Sequence, residues 1–175
     1  MMVKCVGFTL IVRINMKYII ELMKTYKSKI IKLEDNQVFC FGSNPVGING
    51  SPRTGKGGAA LFALNKSWVS QGEKMNNCLS KSGKAWGIVT VTYPGKKKSK
   101  TLDEIKQNIK KLYDFAIQNP DKEFLIAYTG KSNYNLNGYS NKQLAECFSA
   151  YYPPSNIVFE EEFSTLLTIQ KGFEI

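Results

Sequence analysis

The chain has 175 residues, 43% of them hydrophobic and 12% aromatic, and carries a formal charge of +10 at pH 7. That is enough apolar side chain for one cored domain and too much for a disordered chain. There is no His, which excludes Ser-His-Asp and Cys-His triads, imidazole general bases and His-ligated metals. Four cysteines, Cys5, Cys40, Cys78 and Cys147, lie far apart without a C-x-x-C pair. Disulfide scaffolds and structural zinc are therefore not expected, and unpaired thiols suit a reducing, cytoplasmic setting.

Residues 1–22 open with basic residues and a short apolar stretch that Arg13 interrupts. No small-residue cleavage site follows, and the stretch falls far short of the roughly 20 apolar residues that span a bilayer. We read residues 1–22 as an appendage, or as an extra edge strand with a short helix, and residues 23–175 as the domain. Residues 28–33 alternate apolar and polar and predict a first strand; Glu34-Asp35-Asn36 makes a turn. Residues 37–42 form an apolar strand that runs into Gly42-Ser43-Asn44 and a loop holding Pro45, Gly47, Gly50, Pro52, Gly55, Gly57 and Gly58. A helix over 57–66 follows, with small residues at its start, and then an irregular stretch over 67–84.

Residues 86–92 predict a second buried strand, ended by Tyr93-Pro94-Gly95. Lys96, Lys97, Lys98 and Lys100 come next, either a solvated loop or a phosphate-contacting patch. Thr101 and Glu104 form a capping box, and Leu102, Ile105, Ile109, Leu112, Phe115 and Ala116 keep helical spacing up to Asn119-Pro120. A third strand over 124–128 leads into a Gly-containing loop from Thr129 to Tyr139. Ser140 and Gln143 cap another helix with Leu144, Ala145 and Phe148 on its apolar face. A strand over 156–159 and a short helix over 162–169 close the pattern. Strands alternating with helices predict an α/β fold with a mixed, mainly parallel sheet.

In open α/β sheets ligands bind beyond the carboxyl ends of the strands. Two Gly-containing loops, 42–58 and 129–139, leave such ends and enter helix N-termini, where backbone N–H groups and the positive dipole end favour an anion. Two such loops suggest a diphosphate held between them. Gly50-Ser-Pro-Arg-Thr-Gly-Lys56 has the G-x-x-x-x-G-K spacing of a nucleoside-triphosphate loop. The next residue, however, is Gly57, which has no hydroxyl for magnesium, and the match begins well past the strand end. A triphosphatase is therefore not the expected function.

The residues that carry these loops, Phe41-Gly-Ser-Asn44, Gly47, Asn49-Gly50 and Gly55 with Gly57-Gly-Ala-Ala60, resemble a phage and bacterial branch of the macrodomain-like proteins. Thr129-Gly130, Asn137-Gly138-Tyr139-Ser140 and the Leu144-Ala145 helix are similar to the second phosphate loop of that family, and Gln71-Gly-Glu73 resembles a motif of this branch. The resemblance spans residues 29–167. It implies a three-layer α/β/α sandwich that binds ADP-ribose or a related nucleotide without a cofactor. It places Gly42, Ser43 and Asn44 at the ligand, with Asn44 near the distal ribose and positioning a water if an ADP-ribosyl bond is hydrolysed. Gly57, Gly58 and Ala59 would form the first phosphate loop, and Thr129, Gly130, Lys131, Gly138 and Tyr139 the second. The acidic residue that macrodomains set on the adenine amino group has no counterpart by motif; Asp35 is the nearest candidate. The resemblance also admits a sequestering protein that captures an NAD-derived signal of host defence without turnover.

Read from the residues alone, Asn44 also suits a turn cap before Pro45. Arg53, Lys56 and Lys131 suit either solvent or a phosphate, and Tyr134 and Tyr139 either loop anchoring or stacking. Trp68 and Trp86 read as packing residues and Glu73 as a solvated carboxylate. The charge admits a nucleic-acid partner as a further reading; a small nucleotide is the expected partner, and no membrane is.

Overall fold

The computed structural model describes residues 23–27, 29–50, 55–131 and 135–167. The segment 1–22, Ser28, Arg53, Tyr134 and the last residues of the expected closing helix lie outside them. The strands are β1 (Thr25–Tyr26), β2 (Gln37–Ser43), β3 (Ala85–Val89), β4 (Glu123–Ile126) and β5 (Ile157–Glu160). The helices are α1 (Gly58–Asn65), α2 (Leu102–Gln118), α3 (Asn141–Phe148) and α4 (Glu161–Ser164). The five strands form one sheet in the order β1-β5-β4-β2-β3. Among the described residues every strand pair is parallel; the antiparallel contact is an isolated bridge between Leu79 and Trp86, and the expected mixed sheet is not seen. The alternation expected over 28–33 does not become a strand at its described residues, 29–33. The first strand is Thr25–Tyr26, beside β5, and residues 29–33 run outside the sheet with Leu33 buried beneath them.

A strand covered on both faces reads as a continuous apolar run, and β2 and β3 have that character. Along β2, Val38 and Cys40 enter one core while Phe39 and Phe41 enter the other. Phe124 and Ile126 face the first core and Leu125 the second, as the two-residue period of a strand requires. The first core is closed by Ile105, Ile109 and Leu112 of α2, Leu144 and Phe148 of α3, and Phe163 of α4. The second is closed by Ala60 and Ala63 of α1 together with Trp68, Val69 and Met75. Trp68 packs on Phe39 and Phe62 with ring centroids 5.2 and 5.6 Å away, and Trp86 on Phe115 at 4.6 Å. Both tryptophans are packing residues, as expected.

The two capping boxes are present. Thr101 accepts from the Glu104 N–H while the Glu104 carboxylate accepts from the Thr101 N–H, and Ser140 and Gln143 repeat the exchange at α3. Lys100 and these Thr101 bonds hold the Glu104 carboxyl down at about 2.

The ring cluster of Phe148 with Tyr128, Phe159 and Phe163 ties α3 and α4 to the sheet. Phe148→Ala is expected to cost about 3–5 kcal/mol in urea denaturation, whereas Ile117→Ala, at a position 65% exposed, should stay within about 0.5 kcal/mol of the parent.

Candidate functional site

The sheet order sends the connection from β2 one way, through α1 to β3, and the connection from β4 the other way, through α3 to β5. Right-handed crossovers then put α1 and α3 on opposite faces, matching their membership of the two separate cores. The neighbouring strands β2 and β4 diverge at their carboxyl ends, which is the switch point where open α/β sheets bind ligands.

Two adjoining cavities occupy that position. The more polar one, of about 230 Å³, is bounded by Gly42 at the end of β2, Thr90 after β3, Tyr128 after β4, and Asn135 and Asn137 of the second loop. A more apolar one of about 460 Å³ lies toward the α1 face, against Tyr26, Ile30, Phe39 and Phe62, with Lys29 and Asn65 at its border. Both share Gly58, Ala59, Ala127 and Thr129. The start of α1 is therefore the wall between them.

That start is open for a local reason. Gly57 is the N-cap of α1 at φ 141°, and no side chain caps the helix. A Cβ on Gly57 would collide with the Gly50 Cα and would stand 2.9 Å from the Leu61 Cβ; a Cβ on Gly50 would meet the same Leu61 at 2.6 Å. Glycine at both places lets Gly50 and Gly57 pack against each other and against Leu61 at the start of the helix. The first N–H groups of a helix have no intrahelical acceptor, so the wall shared by the two cavities is a donor-rich, positive helix end.

Gly42 belongs to the polar cavity because it lacks a side chain: a Cβ there would stand 2.6 Å from the Tyr128 hydroxyl and 3.0 Å from the Thr90 hydroxyl. Burial pushes the Tyr128 phenol well above its ordinary value, so it stays protonated; its hydroxyl accepts from Asn137 Nδ2 at 3.4 Å.

The other expected ligand residues are placed differently. Ser43 is buried and donates to the Met75 carbonyl at 2.6 Å. Asn44 is 5% exposed and turned onto its own loop: Nδ2 donates to the Ile48 carbonyl at 2.8 Å, and Oδ1 accepts from the N–H groups of Val46 and Ile48 at 3.2 and 3.3 Å. Neither residue lines a cavity. Asn44 is a loop brace, and the turn-cap reading describes its contacts better than the catalytic one.

The second loop contributes Thr129, Asn135, Leu136 and Asn137 to the polar cavity, but not its expected phosphate contacts. The Gly130 N–H donates to Glu160 Oε2 at 2.8 Å. Burial pushes the Glu160 carboxyl up, but N–H groups of Gly130, Phe163 and Glu162 together with Lys131 outweigh this and hold it below the usual range. An ionised carboxylate thus occupies the anion position at Gly130. Lys131 pairs with Glu162 at 3.3 Å. Gly138, at φ +85°, packs where its Cβ would stand 2.9 Å from the Lys97 Cβ, outside the cavity. Tyr139 is a buried anchor whose hydroxyl donates to the Lys100 carbonyl at 2.8 Å. The α3 end itself is closed by its capping box and by Asn141, which donates to the Thr129 carbonyl at 2.7 Å.

Asp35 is exposed in the turn before β2, at the amino ends of the strands and away from both cavities, 3.6 Å from Lys84. Glu73 is not simply solvated: it accepts from the N–H groups of Ser70 and Lys81 at 2.8 and 2.6 Å and closes the irregular stretch after α1. Thr90, Tyr128, Asn135 and Asn137 line the cavity although loop composition did not single them out. Thr90 and Tyr128 follow strand ends, and that position was a usable signal. Among the described residues no group of acidic or Cys side chains is arranged to hold a metal ion, and no helix is long and apolar enough to cross a membrane.

Comparison with protein-family models, with curated proteins and with solved structures finds no match.

Because Asn44 is buried and bonded through both its amide nitrogen and its amide oxygen, Asn44→Ala is expected to cost about 1–3 kcal/mol of folding stability through the unpaired Val46 and Ile48 groups it leaves. Urea denaturation checks this; an unchanged midpoint would return Asn44 to the role of a free ligand-facing side chain.

Proposed function

We propose that the chain is a macrodomain-like binder of ADP-ribose or a closely related nucleotide. One observation carries the reading: a polar and an apolar cavity meet at the uncapped N-terminus of α1, at the switch point between β2 and β4. A nucleoside diphosphate joined to a second sugar has that same sequence of chemistries. The base enters the apolar cavity against Phe62, Phe39 and Ile30. The diphosphate crosses the wall at Gly57, Gly58 and Ala59, where N–H groups and the helix dipole neutralise it. The distal ribose enters the polar cavity, where the hydroxyls of Thr90 and Tyr128 and the amides of Asn135 and Asn137 suit sugar hydroxyls.

This form of the reading uses one phosphate loop rather than two, since Glu160 holds the Gly130 N–H. The parallel sheet of the described residues departs from the mixed sheet first expected, so the likeness to macrodomains rests on the loop after β2 and on the sandwich rather than on the sheet. Asn44 lies outside both cavities, so the reading assigns it no hydrolytic step. Binding without turnover is the activity proposed.

Calorimetry tests this. ADP-ribose should bind with a dissociation constant in the micromolar range or tighter, about −8 kcal/mol, and adenosine should bind at least about tenfold more weakly because it brings nothing to the helix end. Ala59→Leu, which fills the shared wall with a good helix former, should abolish binding while the thermal midpoint holds. Equal affinity for ADP-ribose and adenosine, or an Ala59→Leu variant that binds like the parent, would contradict the assignment.

A further inference from the structure

Glu160 ends β5 beside the candidate site. It is 8% exposed, and its Oε2 accepts from the N–H groups of Gly130 at 2.8 Å and Phe163 at 2.9 Å. The first of these N–H groups belongs to the peptide that joins Thr129 to Gly130, and Thr129 lines both cavities. On its other side Glu160 stands in register with Tyr26 of β1, which borders the apolar cavity. Burial first, and then the Glu160 charge, push the Tyr26 phenol above its ordinary value, so the charge reaches that wall as well.

The charges around Glu160 are committed elsewhere. Glu161 pairs with Lys27 at 3.5 Å and Glu162 with Lys131 at 3.3 Å. Lys131 helps to keep Glu160 ionised, but its side chain is 81% exposed and shared with Glu162. Lys29, at the border of the apolar cavity, stands over the Phe62 ring of α1, 5.3 Å from its centre. The hydrogen bonds that Glu160 accepts come from backbone N–H groups, which stabilise a charge without removing it. The shared wall therefore has two signs: a positive helix end at Gly58 and Ala59, and a carboxylate behind Thr129. Like charges brought together at a binding surface cost enough to decide between partners. We infer that Glu160 is a specificity-determining residue of the proposed nucleotide site. It admits a diphosphate at the helix end and rejects a ligand that carries a further phosphate past it, so the group beyond the diphosphate must be an uncharged sugar. The inference rests on the nucleotide reading and adds to it the charge of the distal group.

The test is calorimetry of the full chain with ADP-ribose and with ATP, both with a chelator present so that magnesium does not mask the third phosphate. The parent should bind ATP at least about tenfold more weakly than ADP-ribose. Asp and Ser both cap helices by accepting from the first N–H groups, as Glu160 does from Phe163, so substituting each of them separates charge from capping. Glu160→Ser should narrow the gap between the two ligands by about tenfold, and Glu160→Asp should keep it, with thermal midpoints showing that both variants fold. Glu160→Gln, which keeps the length and an acceptor oxygen, should narrow the gap as Glu160→Ser does. A gap that the Ser and Gln substitutions leave unchanged, or that Glu160→Asp narrows as much, would overturn the inference, as would a parent that binds ATP as tightly as ADP-ribose. In each of those cases ADP-ribose still binds and the nucleotide reading stands; a parent that binds neither ligand removes both.

Discussion

Everything at the candidate site follows from the position of β2. It is a buried strand held in parallel register between β3 on one side and β4 on the other. Its own connection and that of β4 depart in opposite directions, so the helices divide between the two faces and a gap opens where the strands end. Such a gap would close if the loop after β2 folded over it. At Gly50 and Gly57 that loop packs onto the start of α1, where neither position has room for a Cβ. Among the described residues no side chain caps that helix end, and the two cavities share it as a wall.

Electrostatics then make the two loops unequal. The first leaves helix N–H groups without a side-chain cap. In the second, the carboxylate of Glu160 takes the Gly130 N–H, and the Ser140 box and Asn141 close the start of α3. An anion is therefore favoured at Gly58 and opposed at Gly130, although both loops are Gly-containing, follow strands and precede helices. The second loop serves the cavity through Thr129, Asn135, Leu136 and Asn137, and it anchors itself through Tyr139.

The fold was legible wherever local pattern and tertiary burial agree. The continuous apolar runs of β2 and β3, the helical spacing of Leu102 to Ala116 and both capping boxes needed no tertiary information. The alternation expected over 28–33 was misleading because, of its described residues, Leu33 is buried while Ile31 is left exposed, and the two-residue β1 is too short to leave a pattern. Gly42, Gly57, Gly58, Ala59 and Thr129, which the resemblance placed at the ligand, line the candidate cavities. The place of Asn44 was not legible, since whether an amide faces a ligand or its own loop depends on where Val46 and Ile48 return. Glu160 was not legible either: it meets Gly130 only because β5 lies beside β4.

Along α2, Lys106 is paired locally with Asp103 and Lys110 with Asp114. The central claim concerns the wall at the start of α1, and amide chemical-shift mapping during titration with ADP-ribose tests it most directly. The account predicts the largest shifts at Gly58, Ala59 and Thr129. Shifts centred on Lys131, Gly138 and Tyr139, with Gly58 and Ala59 unmoved, would contradict it.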